Sequence, residues 1–99
     1  MTRRIRLRGI VRTDISVDVQ RDTEDIDTLA RQLDAELEPT LITDSDNDYP
    51  LLFALLGSTD VTAVVVPDVR HLSGWLPVLR EHLDVWTLRP LRRVPGGTP

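Results

Sequence analysis

Residues 61–66 read VTAVVV, a run of β-branched and small residues without a charge. A strand with one face in water alternates apolar and polar residues, whereas such a continuous run is typical of a strand buried on both faces. Strands of this kind occur in parallel sheets that helices cover on either side. The run therefore predicts the centre of a parallel sheet and limits the chain to an α/β fold.

Three further strands and three helices follow from the spacing of apolar and turn-forming residues. The strands are predicted at 5–12, 40–43 and 85–88. The first helix is predicted to begin with an N-cap at Asp22 and to continue until Pro39 stops it. The second helix covers LLFALL at 51–56, and the third begins at Ser73.

Strands and helices alternate along residues 1–88. This order predicts one small three-layer domain with right-handed crossovers, a mostly parallel four-stranded sheet and helices on both faces. Gly9, inside the first strand, indicates that another group approaches the backbone closely there. Residues 89–99 are rich in arginine, proline and glycine and are predicted to form a flexible tail.

The charge distribution and the absent residue types exclude several functional classes. The chain has no cysteine, which excludes disulfides and thiolate metal sites. It also lacks an apolar run of about 18 residues, so we expect a cytoplasmic protein that does not enter a membrane. All 12 basic residues are arginine, which we interpret as the codon bias of a GC-rich bacterial genome. Residues 14–48 hold twelve acidic residues against Arg21 and Arg31, and a field of that sign repels nucleic acid.

The stretch RLRGIVRTD at residues 6–14 carries a family resemblance. It resembles the first strand of the N-terminal catalytic domain of serine recombinases, the resolvases and invertases, which has the form R-L-x-G-x-x-R-V-S. The matching residues are Arg6, Leu7, Gly9 and Arg12. The resemblance extends to about residue 88 and implies the strand order 2-1-3-4. In that family a serine attacks a DNA phosphate, and arginines from the first strand and a later loop bind the phosphate oxygens.

Most residues that this chemistry requires are replaced here. Asp14 stands at the position of the attacking serine, with Thr13 before it and Ser16 two residues later. The loop VRHLSG stands in place of the family's L-D-R-L-G-R, whose aspartate and two arginines fall on Arg70, His71 and Gly74. Arg12 alone is retained as a candidate anion-binding residue.

The resemblance therefore implies a degenerate and truncated recombinase-like domain, a pseudoenzyme that uses no cofactor. The sequence also stops before the family's long dimerisation helix and DNA-reading domain. We expect the chain to act as a protein-interaction or regulatory module that binds a protein partner or a second copy. The apolar region around Trp75, Leu76 and Trp86 is expected to need such a partner.

Carboxylates at the ends of the predicted strands support an alternative function. The residues are Asp14, Asp44 and Asp68. Ligands of parallel α/β sheets bind at this edge, so the three carboxylates predict an acidic pocket that binds magnesium or accepts phosphate, as in receiver domains.

Arginines near both ends support a third function, weak DNA binding. They are Arg3, Arg4, Arg6 and Arg8 at one end and Arg89, Arg92 and Arg93 at the other. No stacking aromatic residues are interleaved with them, so ordinary solubilising termini are the favoured interpretation.

Two local interpretations also follow from the residue types. Arg12 beside Asp14 is more often half of a structural ion pair than an anion site. His71 with Ser73 and Asp68 invites a hydrolase interpretation, but three polar residues in one loop often occur by chance. We therefore expect His71 to be a solvated loop histidine.

Overall fold

Five strands, three α-helices and one 3₁₀ turn make up the computed structural model, which describes residues 5–56 and 60–97. The strands are β1 (Arg6–Arg12), β2 (Glu36–Thr43), β3 (Ala63–Val66), β4 (Asp84–Leu88) and β5 (Leu91–Val94). The helices are α1 (Val19–Gln32), α2 (Tyr49–Leu56) and α3 (Leu76–Leu79), and the 3₁₀ turn is Val69–Leu72. Of the helices described, none is long and apolar enough to cross a membrane.

The strands form one mixed sheet in the order β2-β1-β3-β4-β5. The first four are parallel and follow the predicted order 2-1-3-4, with the apolar strand β3 in the middle. The prediction of four strands is wrong, because β5 adds to the edge of β4 in the antiparallel direction. The prediction of an α/β fold is confirmed.

Strand β5 lies within residues 89–99, which the sequence predicts as a tail. Arg89 and Pro90 form the two-residue turn between β4 and β5, so that Leu88 stands opposite Leu91. The four residues LRRV are too few to show an alternating pattern, and the prolines and glycines around them point to irregular structure. The strand is held by its pairing with β4 and by Val94, which packs against the core.

Alternate residues of the sheet point to opposite faces, and helices cover both faces. Val64 and Val66 of β3 belong to a cluster that includes residues of α2, the 3₁₀ turn and α3. Ala63 and Val65 belong to a second cluster, with residues of α1. The predicted three-layer arrangement is present. Each fully buried valine of β3 stabilises it by about 1.5–3 kcal/mol relative to an exposed one.

Helix α1 begins and ends earlier than predicted. Its N-cap is Asp18, whose side chain accepts a hydrogen bond from the Arg21 backbone N–H at 3.1 Å. At the other end Asp34 adopts a left-handed φ of 52°, and the N–H of Ala35 donates back to a carbonyl inside the helix. The predicted N-cap, Asp22, is a buried residue within the helix.

The predicted helix stop, Pro39, lies inside β2. This strand is at the edge of the sheet, and its pairing with β1 shifts register where Pro39 and Thr40 together stand opposite Gly9. Proline lacks a backbone N–H and is tolerated in sheets at edges and bulges. The proline therefore marks a β-bulge, and the helix has already ended before it.

The predicted third helix is replaced by the 3₁₀ turn and the single-turn helix α3. Ser73 and Gly74 adopt left-handed φ values of 49° and 84°. A right-handed helix cannot continue through such residues. Ser73 therefore ends the 3₁₀ turn as its C-cap, and α3 begins beyond it with Pro77 near its start.

Gly9 lies where the bulge of β2 comes closest to β1. A Cβ atom at this position would lie 2.6 Å from Oγ1 and 3.1 Å from Cγ2 of Thr40, and 3.1 Å from Cγ2 of Ile26. Rotation of the Thr40 side chain would not relieve the overlap, because Oγ1 or Cγ2 would still lie near the added atom. The predicted close approach at Gly9 is confirmed.

We expect Gly9→Ala to destabilise the domain by about 1–3 kcal/mol, because the added methyl group overpacks the space between β1, β2 and α1. Chemical denaturation measures the loss. Adding Thr40→Ala removes both threonine contacts, so the double variant should recover part of the lost free energy of unfolding. A Gly9→Ala protein as stable as the wild type would contradict the close approach.

Candidate functional site

The carboxyl ends of β1, β3 and β4 bring together charged side chains that are distant in the sequence. Arg12 ends β1, Asp68 and Arg70 follow β3, and Arg89 follows β4. We call this group the strand-end site, and it comprises Arg12, Asp14, Asp22, Asp68, Arg70, His71 and Arg89. Because parallel α/β sheets bind ligands at this edge, its charges decide which chemistry the domain can perform.

His71 is the buried centre of the strand-end site. Its side chain is 1% exposed, and Nδ1 accepts a hydrogen bond from the Arg12 backbone N–H at 2.9 Å. The Tyr49 hydroxyl donates to the His71 carbonyl at 2.5 Å, and burial raises the pKa of Tyr49 to about 12. The expectation of a solvated loop histidine is wrong, because these two bonds draw the 3₁₀ turn under β1 and α2.

The hydrogen bond from the Arg12 N–H requires an unprotonated Nδ1, as in the neutral imidazole. Burial lowers the pKa of His71, although the carboxylates of Asp68 and Asp22 oppose this effect. Since Nδ1 accepts a hydrogen bond, the neutral ring carries its proton on Nε2. The nitrogen that could act as a base is therefore already bonded to the backbone.

Arg12 is bound within the chain on three of its nitrogen atoms. Nε donates to Oδ1 of Asp14 at 3.0 Å and Nη2 donates to Oδ2 at 2.5 Å, which makes a bidentate ion pair. Nη1 donates to the hydroxyl of Ser73. The hydrogen bond from Arg12 lowers the pKa of Asp14, so the pair stays charged. The predicted structural ion pair is confirmed, and the retained arginine is already occupied by a carboxylate.

A second bidentate pair closes the loop after β3. Oδ1 of Asp68 accepts from the backbone N–H of Arg70 at 2.9 Å and from its Nε at 3.0 Å, and Oδ2 accepts from Nη2 at 3.0 Å. The side-chain hydrogen bond from Arg70 lowers the pKa of Asp68. Asp68 is also the N-cap of the 3₁₀ turn, so this pair fixes the start of the segment that carries His71.

A third ion pair, which the sequence analysis missed, joins α1 to the turn after β4. Asp22 is 3% exposed, and its Oδ2 accepts from the Ser16 hydroxyl at 2.5 Å. Its Oδ1 accepts from Nη2 of Arg89, whose Nη1 donates to Asp25 at 3.2 Å. The available signal was helical spacing, because Asp22 lies on the same stripe of α1 as the buried Ile26.

A cavity of about 80 Å³ lies between these ion pairs. It is lined by Ile15, Ser16, Val17, Asp22, Asp68, Arg70, His71 and Arg89. Two arginines and two carboxylates face it, so their formal charges cancel. The cavity therefore shows no preference for an anion or a cation.

The hydroxyl groups near His71 are not placed for nucleophilic catalysis. Ser16 donates to Asp22, and Ser73 accepts from Arg12. Across the described part of the chain, neither serine hydrogen-bonds to His71, and a nucleophile requires that contact with its base. Gly74, at the second loop position of the recombinase motif, is exposed and carries no side chain.

The carboxylates predicted to bind magnesium are not brought together. Asp14 and Asp68 each bind an arginine, and Asp44 is exposed where β2 ends. Over residues 5–56 and 60–97, no group of three carboxylate or histidine side chains is arranged to hold a metal ion. The magnesium-binding or phosphate-accepting function stays a prediction without support from the geometry.

Of the five described arginines that were predicted to bind DNA, three contact carboxylates instead, namely Arg6, Arg89 and Arg93. Nη2 of Arg93 lies 2.8 Å from Oδ2 of Asp84, and Arg89 is bound to Asp22 and Asp25. Arg92 is exposed and contacts no carboxylate of the described segments. Arg3 and Arg4 lie outside the described residues.

Comparisons of the chain with models of protein families, with curated proteins and with solved structures find no match. Kinship with the serine recombinases remains a proposal that rests on the motif RLRGIVRTD.

We expect the stability of the domain to fall as the pH drops from 7.5 to 5.5. The pKa of His71 is lowered in the folded chain, whereas an unfolded histidine titrates near about 6.5. The unfolded state therefore binds more protons than the folded state below that pH, and unfolding becomes more favourable. Urea denaturation at each pH measures the free energy of unfolding.

The variant His71→Asn keeps an acceptor for the Arg12 N–H but cannot be protonated in this range, so it should lose this part of the pH dependence. His82→Asn, at the other and exposed histidine, is the matched control and should keep the wild-type slope. A slope that persists in His71→Asn would show that another group causes it.

Proposed function

We propose that this chain is a protein-interaction or regulatory module, a recombinase-like domain that acts by binding a protein and not by chemistry on DNA phosphates. The observation that carries the proposal is the exposed apolar face of α2. The charge pairing at the strand-end site supports the loss of catalysis.

Helix α2 is apolar on every side. Its sequence is YPLLFALL, and the hydroxyl of Tyr49 is used inside the domain. A helix of this composition is ordinarily buried on all sides. Tyr49 and Leu56 are buried in the core, but Leu51 is 66% exposed. Pro50 and Ala54 are exposed as well, and no residue of the described chain covers them.

The apolar surface extends from α2 to α3. A shallow pocket of about 100 Å³ between the two helices is lined by Phe53, Leu56, Val78, Leu79, His82 and Leu83. Val78 of α3 is 49% exposed. We call the exposed residues Pro50, Leu51, Ala54 and Val78 the α2–α3 face. Exposed apolar residues grouped on neighbouring helices are typical of sites that bind another protein.

The apolar region predicted around the tryptophans is divided by the sheet. Trp75 packs edge-on against Phe53, with ring centroids 5.3 Å apart, on the side of α2 and α3. Trp86 packs against the cluster on the side of α1. Leu76 packs against the same core cluster as Trp75, so two of the three predicted residues lie on the side of the sheet that carries α2 and α3.

The strand-end site offers little to a DNA phosphate. Asp14 presents a carboxylate where the family has its nucleophile, and it occupies the guanidinium of Arg12. Arg70 and Arg89 are paired with carboxylates too. A phosphate would have to displace an ion pair at each arginine while it is repelled by the carboxylate released.

We expect the wild-type protein to self-associate with rising concentration and Leu51→Glu to remain monomeric, because a charge on the α2–α3 face opposes its burial. Light scattering measures the molecular mass. Val17→Glu makes the same chemical change at a fully exposed site before α1 and should behave as the wild type. Both variants should keep the wild-type melting temperature, since neither side chain is in the core.

If the wild type stays monomeric at all concentrations, the partner is a different protein and not a second copy of this chain. A tagged wild type should then retain a protein from extracts of its own cells that Leu51→Glu loses and Val17→Glu retains. Identical behaviour of the three proteins in both experiments would contradict the proposed role of α2.

We expect no covalent protein–DNA adduct from either the wild type or Asp14→Ser. The substitution restores a hydroxyl, but His71 and Gly74 still supply no guanidinium at the two loop positions, and each missing charge-assisted hydrogen bond costs about 1.5–3 kcal/mol. Labelled supercoiled or nicked DNA on a denaturing gel reveals adducts. A phosphoester link at Thr13 or Ser16 of the wild type would overturn the proposed loss of catalysis.

A further inference from the structure

Within residues 5–56 and 60–97, no strand pairs with the outer edge of β5. The N–H groups of Asp84 and Leu88 donate to Thr62 and Pro67 on the β3 side, at 3.2 and 3.1 Å. Backbone groups of successive strand residues point to opposite sides, so the N–H and C=O groups of Val85 and Thr87 point towards β5.

Val85 and Thr87 stand opposite Val94 and Arg92. These two residues of β5 thus direct their N–H and C=O groups towards β4, and the alternate residues, Leu91 and Arg93, direct theirs outward. In the described chain β5 ends the sheet, and Leu91 is 62% exposed. Four outward backbone groups form a template for strand addition.

The side chains beside this edge combine an apolar groove with an unmatched cation. A groove of about 300 Å³ lies next to β5 on the side of α3. Its apolar lining comes from Val69, Leu76, Pro90 and Val94. The carboxylate of Asp68 lines it too, but that charge is paired with Arg70. Arg92 also lines it and, unlike Arg89 and Arg93, contacts no carboxylate in the described ranges.

The same arginine argues against a second copy as the occupant of this edge. Antiparallel pairing of two β5 strands brings Arg92 or Arg93 opposite its own copy in the other chain, and like charges directly opposite each other destabilise a sheet. A partner strand that carries carboxylates would instead place opposite charges across from these arginines, which stabilises a sheet. Charge thus selects an acidic partner strand over self-pairing.

We propose that the outer edge of β5 binds an extended, acidic segment of a partner protein by strand addition. The segment alternates apolar and acidic residues, so that an apolar side chain enters the groove and a carboxylate reaches Arg92. The inference deepens the proposed interaction function and relies on it, but it uses a surface other than the α2–α3 face.

The test uses the full chain and a blocked seven-residue peptide of alternating valine and glutamate, with a valine–arginine peptide as control. We expect the glutamate peptide to bind, more weakly with rising salt, and the arginine peptide not to bind. Bound peptide should slow amide hydrogen exchange at Leu91 and Arg93 and leave Arg92 and Val94 unchanged. This alternation is the signature of added strand pairing.

Arg92→Glu should weaken binding of the glutamate peptide by roughly tenfold or more, because it replaces an attraction by a repulsion. Arg31→Glu, the same change at an exposed position of α1, is the matched control and should bind as the wild type. Binding without protection of Leu91 and Arg93, equal binding of both peptides, or no binding at millimolar peptide would each overturn strand addition. If Leu51→Glu still abolishes association in that case, the proposed function survives and only the β5 site is lost.

Discussion

The buried imidazole of His71 is the contact on which the carboxyl edge of the sheet depends. Its ring nitrogen accepts from the backbone of Arg12 at the end of β1, and its carbonyl accepts from Tyr49 at the start of α2. One residue of the 3₁₀ turn thus connects a strand and a helix that are distant from it in the sequence. The position of the Arg12 backbone follows from this junction, and its side chain then reaches Asp14 and Ser73.

The paired charges of the domain lie in a different place from its exposed apolar and unpaired backbone surfaces. Each arginine of the strand-end site is paired with a carboxylate. The charges therefore neutralise one another at the edge where α/β domains usually bind ligands and perform chemistry. The unmatched features lie elsewhere, on the apolar outer side of α2 and along the outer edge of β5. The interaction role that we propose relies on these two surfaces, because burial of their apolar area and pairing of their backbone groups would still lower the free energy.

The features predicted correctly from the sequence are those that a continuous local pattern reports. The run of β3 shows burial on both faces, and Gly9 shows a close approach, because both leave a mark in the residue types themselves. The features that were missed depend on distant partners. His71 is buried by contacts with β1 and α2, and β5 exists because β4 offers an edge to a segment whose own pattern is too short. The paired Asp22 lay between these cases, since its place on the apolar stripe of α1 was visible but its partner Arg89 was not.

The two edge strands of the sheet, β2 and β5, differ in how well they can pair with a strand of another molecule. This difference limits the number of strands that can be added to the sheet. Border strand β2 contains Pro39 within a bulge, which removes a donor and bends the backbone away from a straight neighbour. With the strand addition that we propose at β5, the domain binds one partner strand along the sheet direction. In that proposal the domain ends a β-structure in another molecule without extending it, and this avoids the open-ended polymers that two receptive edges would permit.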